Sequence, residues 1–238
     1  MKVRSERASA IAAGVLYIAA TVAGVSSMVV AGSLIGGPGL TGDLAGNEPQ
    51  VAVAALFLFI MAITGPGVAF MMYPILMQDA KTKLKEGFAA WYLASRITEG
   101  AVFVVGLMGL FSLLALSKEI ANAGAANTAG FQVAGIALWT AYDYAWMLGQ
   151  SVFCIGAVMF YYLLFVSKRV PRWLSVWGLI AAPLMLIAGF SLVVTGDPNS
   201  TFSSILYAPI GLQEMALAVW LIARGFNPPA AYGPEVAQ

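Results

Sequence analysis

No histidine occurs anywhere in the sequence, and cysteine occurs once, as Cys154. The first absence removes imidazole general bases, Ser–His and Cys–His nucleophile pairs and histidine-ligated metal sites together. The second removes any disulfide within the chain, and Cys154, set in an apolar run, reads as a small buried residue. Charge is scarce as well. Only 10% of residues are charged, against about 25% in soluble domains, so the chain lacks the polar surface that a water-facing domain needs. The ten-residue polar/apolar alternation of a membrane β-barrel is missing. No G-x-S-x-G motif appears, and the Tyr-Asp of "AYDYA" has no G-x-G-D partner with which to build an aspartyl dyad. Catalysis is thereby disfavoured, and neither a cofactor nor a metal is expected.

What is present is hydrophobic: 61% of the 238 residues, with a mean hydropathy of +0.86. Six apolar runs, near residues 9–33, 51–77, 88–116, 134–166, 172–195 and 203–223, each exceed the roughly 20 residues that cross a hydrocarbon core. They predict an all-α fold, a polytopic membrane bundle of six transmembrane helices forming one domain over 1–238. "MKVRSER" and the run after it imitate a secretory signal. That run is longer than an h-region and lacks an A-x-A site, so it reads as the first span. The connections "GPGLTGDLAGNEPQ" and "SKEIANAGAANTAGF" are rich in small residues. The first lacks the G-K-[ST] ending of a phosphate loop and reads as an ordinary flexible loop.

Basic residues give an orientation. Lys2, Arg4 and Arg7 precede span one, and Lys81, Lys83 and Lys85 separate spans two and three. Lys168, Arg169 and Arg172 separate spans four and five, and Arg224 follows span six, whereas the remaining connections hold only Lys118. The positive-inside rule then places both termini in the cytoplasm, in a cytoplasmic (inner) membrane. Trp91, Trp173, Trp177 and Trp220 lie toward span ends, where interface anchors belong.

One arginine is left over, Arg96 in "WYLASRITEG", and among the acids Glu99, Asp143 and Glu214 also fall within apolar runs. An ionised side chain near the bilayer centre costs at least about 2.5–3.5 kcal/mol, so such groups pair or face a polar cavity. At 1.5 Å per residue, Arg96 lies roughly 14 Å and Glu214 roughly 15 Å from the basic end, near the midplane. Equal depth predicts an Arg96–Glu214 ion pair between spans three and six. Glu99, one turn from Arg96 on the same face, shares the guanidinium, and Asp143 lies nearer the other interface. Span two adds Gly65, Pro66 and Gly67 at similar depth, and a kink or break is expected there. Met71, Met72 and Met77 read as packing, and Ala20 with Gly24 forms a small-xxx-small pair for close helix contact.

Charged groups and a helix break at one depth resemble the midplane sites of transporters. One reading is therefore a membrane protein that binds or moves a small molecule or ion at Arg96, Glu99 and Glu214, with the lipid bilayer as its surroundings. The alternative is a structural or regulatory protein whose buried pair sets helix packing. Nothing points to nucleic acid, and a homo-oligomer is left open.

The chain also resembles a family of bacterial and archaeal integral-membrane proteins catalogued as domain of unknown function 4386. The likeness runs from Ala8 to Phe226 and rests on "RASAIAAGVLYIAA", "SRITEG", "YDYAWMLG", "VPRWLSVWGLIAA" and "GLQEMALAVWLIARGF". By that resemblance Arg96, Glu99, Asp143, Gly149, Pro171 and Glu214 match positions of the family's pattern. Tyr142 stands where the family often has a histidine, which argues against an imidazole role in this member. The resemblance implies a multi-span membrane fold and no established activity.

Overall fold

The computed structural model describes residues 2–35, 41–123, 128–196 and 200–228. The side chains of Lys2 and Arg4, and the connection residues 36–40 and 124–127, lie outside what is described. Seven helices follow in order: α1 Lys2–Ile35, α2 Thr41–Gly46, α3 Glu48–Asp79, α4 Lys83–Ala123, α5 Thr128–Ser167, α6 Arg172–Thr195 and α7 Thr201–Ala223. There are no strands among the described residues. All but α2 are long and apolar enough to cross a membrane. Several overrun the apolar segments that mark them. Helix α4 continues to Ala123 and α5 begins at Thr128, because hydropathy marks only the apolar part of a helix and polar turns such as "SKEIANA" extend it.

The six long helices close into a ring. Each packs on the next along the chain, and α7 returns to pack on α1. Without a hydrophobic drive between helices in lipid, such packing depends on small residues that let backbones approach. The α4–α5 seam shows this: a Cβ on Gly156 would overlap the Ser95 hydroxyl. The expected roles of Met71, Met72 and Met77 hold, since Met72 is fully buried and the other two pack against the same core. Many large apolar side chains, Val29, Phe70, Val194 and Ile205 among them, face outward, as a lipid-facing surface requires.

Two expectations need correction. The "GPGLTGDLAGNEPQ" stretch is not wholly a loop: it contains α2, whose Leu44 is fully buried. The Ala45 amide donates to Ser117 Oγ at 2.9 Å, tying this short helix to α4. Helix α3 also runs through Gly65, Pro66 and Gly67 and past Pro74 without interruption, so these residues do not break it. A proline forfeits one intrahelical bond, and the helices packed around α3 hold the rest.

At the end of the ring where the chain begins and α7 finishes, polar groups knit the helices together. Arg7 donates to the Leu221 and Ile222 carbonyls at 3.0 and 2.6 Å, satisfying the last turn of α7. Gly225, at φ 74°, turns the chain there in the left-handed conformation that suits glycine. Arg169 is 1% exposed. Its guanidinium grips both Asp79 oxygens, at 2.6 and 3.1 Å, and Glu6 at 3.1 Å. Burial alone would lower the Arg169 pKa, but the Asp79 hydrogen bonds and the two carboxylate charges outweigh it and raise the value.

Candidate ligand-binding chamber

Inside the ring, about midway along the helices, lies a cavity of about 150 Å³ lined by Arg96 and Glu99 of α4 and Glu214 of α7. Thr21 of α1, Gln150 and Phe153 of α5 and Met185 of α6 complete most of its wall. The ring topology is what brings α4 and α7, far apart in sequence, to one cavity.

Arg96 is 6% exposed and held from three sides. Its Nη1 lies 2.9 Å from Glu99 Oε2, one turn along the same helix. Its Nε donates to the Gly65 carbonyl across the α3–α4 interface at 3.4 Å, and the Phe153 ring lies beneath the guanidinium, 4.7 Å from its centre. Gly65 is needed for this: a Cβ there would stand 2.9 Å from Arg96 Nη2. Gly100 allows a matching approach, since its Cβ would stand 2.5 Å from the Ala62 carbonyl oxygen. That oxygen is the one left without its helix donor by Pro66. The Gly65-Pro66-Gly67 stretch thus serves as a seat for the arginine.

The ion pair differs from the one expected. Arg96 bridges Glu99, and no salt bridge joins it to Glu214 among the described residues. Glu214 feels the guanidinium's charge but keeps its carboxylate on the cavity. The miscount is geometric, because equal depth put Arg96 and Glu214 in one cavity but not in contact. The near neighbour at i+3 had the shorter reach. Glu99 Oε2 is buried and lies outside hydrogen-bond geometry despite its short distance to Arg96. The bridge therefore supplies charge without satisfying every lone pair.

Asp143 is not in this cluster. It lines a separate cavity of about 600 Å³ toward the opposite end of the ring from Arg169, together with Tyr142, Trp146, Gln150 and Tyr207. Gln150 lines both cavities, and its Oε1 accepts from the Tyr207 hydroxyl at 3.0 Å. Sequence reasoning followed charges and passed over Gln150; an uncharged amide within an apolar run was the available signal. It also passed over Gln213, fully buried, which accepts from Tyr161 Oη at 2.5 Å and donates to the Leu174 carbonyl at 3.1 Å. Tyr17, Tyr92 and Tyr161 all lie within electrostatic range of Glu214. No group of three or more metal-ligating side chains occurs among the described residues.

The fold defines an all-helical ring whose six long helices fit a multi-pass membrane protein, with charged groups turned to its interior. The chain belongs to the family described as a domain of unknown function (DUF4386), which matches residues 12–225. No curated protein and no solved structure matches it.

Proposed function

We propose that the protein is an integral protein of the cytoplasmic membrane, with both termini in the cytoplasm, that binds or carries a small polar solute through the chamber at Arg96, Glu99 and Glu214. The observation that carries this reading is Glu214, a carboxylate within a lipid-soluble helix that faces a cavity and forms no salt bridge among the described residues. Such a group is costly unless something compensates it. If the cluster served packing alone, Glu214 would be expected to close on Arg96 and leave no space between them. Arg96 serves here as the fixed charge that holds Glu99, while Glu214 and the amide of Gln150 meet the solute. The basic residues at the Arg169 end support the orientation, and the tryptophans there fit a membrane interface. Trp91 and Trp173 are exposed there, and Trp173 stacks on Trp177.

The test is thermal unfolding of the purified protein in detergent against a library of small charged and polar compounds. A binder is expected to raise the midpoint of the wild type in a saturable way, by mass action on the folded state, and to lose its effect on Glu214→Gln. A library without any such compound, or hits that shift Glu214→Gln equally, would overturn the reading.

A further inference from the structure

The two cavities together carry more information than the inner one alone. Inside, Glu99 neutralises Arg96, so the Glu214 carboxylate leaves the chamber short of one positive charge. In the larger cavity Asp143 lies one turn from the Trp139 indole and forms no salt bridge among the described residues. An indole is neutral and leaves the carboxylate's charge uncancelled. No lysine or arginine lines that cavity. Both chambers therefore select for a cation.

The walls indicate what kind. Tyr142, Trp146 and Tyr207 stand around the Asp143 cavity, and Phe103 lines the inner one, where the Phe153 ring already carries the Arg96 guanidinium. Aromatic faces attract alkylammonium groups, and a carboxylate among aromatic rings is the usual recognition set for them. A hard metal ion needs six or more oxygen ligands, and neither cavity offers three metal-ligating acids. The walls are too apolar to serve one. Val25 and Met28, exposed apolar side chains of α1, form the edge of the Asp143 cavity. Gln150, held by Tyr207, forms the shared wall between it and Glu214.

We infer that the solute is a small organic ammonium, received at Asp143 among Tyr142, Trp146 and Tyr207 and passed across Gln150 to Glu214. This rests on the solute-binding reading above for its inner station, while the Asp143 station stands on its own cavity. Association involves no covalent step. The ammonium replaces water around the two carboxylates in turn, and turning the Gln150 amide away from Tyr207 opens the wall.

Tetramethylammonium, n-butylammonium and, as an anionic counterpart, n-butyrate are titrated by calorimetry against the full-length protein in detergent at constant ionic strength. The expected result is saturable binding of the two ammonium ions and none of butyrate. Affinity should fall at least ten-fold in Asp143→Asn, and Tyr207→Phe should retain the Asp143 station while changing occupancy of Glu214. Circular dichroism of each variant verifies that it is folded, and Asp143→Glu restores binding if charge is what matters. Binding of butyrate that disappears in Arg96→Gln would overturn the ammonium assignment and leave a solute chamber standing. Ammonium binding unaffected by Asp143→Asn would overturn the receiving station. Silence from all three probes, with hits from other compounds in the thermal screen, would overturn the ammonium class alone, and silence in both experiments would remove the chamber too.

Discussion

Removing the charge of Arg96 and removing that of Glu214 should have unequal consequences, although both lie in apolar helices and line one cavity. Arg96→Gln would leave Glu99 buried without its counter-charge, and breaking one side of a buried pair costs about 3–5 kcal/mol. Glu214→Gln breaks no bridge and lifts an uncompensated carboxylate, so it should be neutral or stabilising. Thermal or denaturant unfolding of the two variants in detergent reads the difference directly. Equal losses would mean that Glu214 is a structural partner of Arg96 after all. The identity of these residues was legible from the sequence, since each is a charge in a run that should hold none. The Arg96–Glu99 contact was legible too, from its i+3 spacing, but the expected contact of Arg96 with Glu214 was not found. Depth along a helix can be counted, but the azimuth that decides between contact and shared cavity depends on how neighbouring helices turn. Arg169 illustrates the converse. It read as one of several loop cations, yet it is buried against Asp79 and Glu6, because a short connection at a helix end folds back onto the bundle.

At the scale of the helix, small residues decide how closely neighbours approach. Gly156 faces Ser95 across the α4–α5 seam with no room for a side chain. Gly156→Val should therefore push α4 from α5 and cost about 1–3 kcal/mol or more by overpacking, whereas Gly87→Ala, with nothing near the added carbon, should be neutral or slightly stabilising through helix propensity. Comparing their unfolding midpoints tests whether the seam is as tight as described; a harmless Gly156→Val would show that it is not. All six long helices were legible as apolar runs, because lipid sets a length that composition records. Their polar extensions, and α2, were not. Among its described side chains α2 holds by the buried Leu44, with a hydrogen bond from the Ala45 amide to Ser117, and six residues carry too little pattern to signal it. The glycine–proline stretch of α3 was noticed for the right property, but of the kink or break expected there the helix shows no break. The backbone freedom that suggested a break is instead occupied by a guanidinium lying against Gly65.

For the whole molecule, ring closure is the feature that sequence could not supply, since a string of spans is consistent with many circular or open orders. Closure between α1 and α7 makes the interior a shared space, and it sets Arg7, near the start of α1, beside Ile222, near the end of α7. The proposed cytoplasmic placement of these ends rests on the basic residues. Two of the cations counted toward the cytoplasm, Arg7 and Arg169, are held by helix ends and carboxylates, so their placement is explained without reference to the membrane. The bias that remains in the sequence, with Lys2, Arg4, Lys81, Lys83, Lys85, Lys168, Arg172 and Arg224 on one side and Lys118 on the other, still supports the proposed cytoplasmic Arg169 end. Lys118 is itself engaged by Glu48, which weakens the opposing charge further. The native Cys154 is buried, so single cysteines placed at exposed Thr82 and Asn122 report each end over a quiet background. In intact cells a membrane-impermeant maleimide should label Asn122→Cys, and Thr82→Cys should react only after lysis. The reverse pattern would invert the molecule, place the Asp143 cavity toward the cytoplasm, and make the proposed route one that loads from inside.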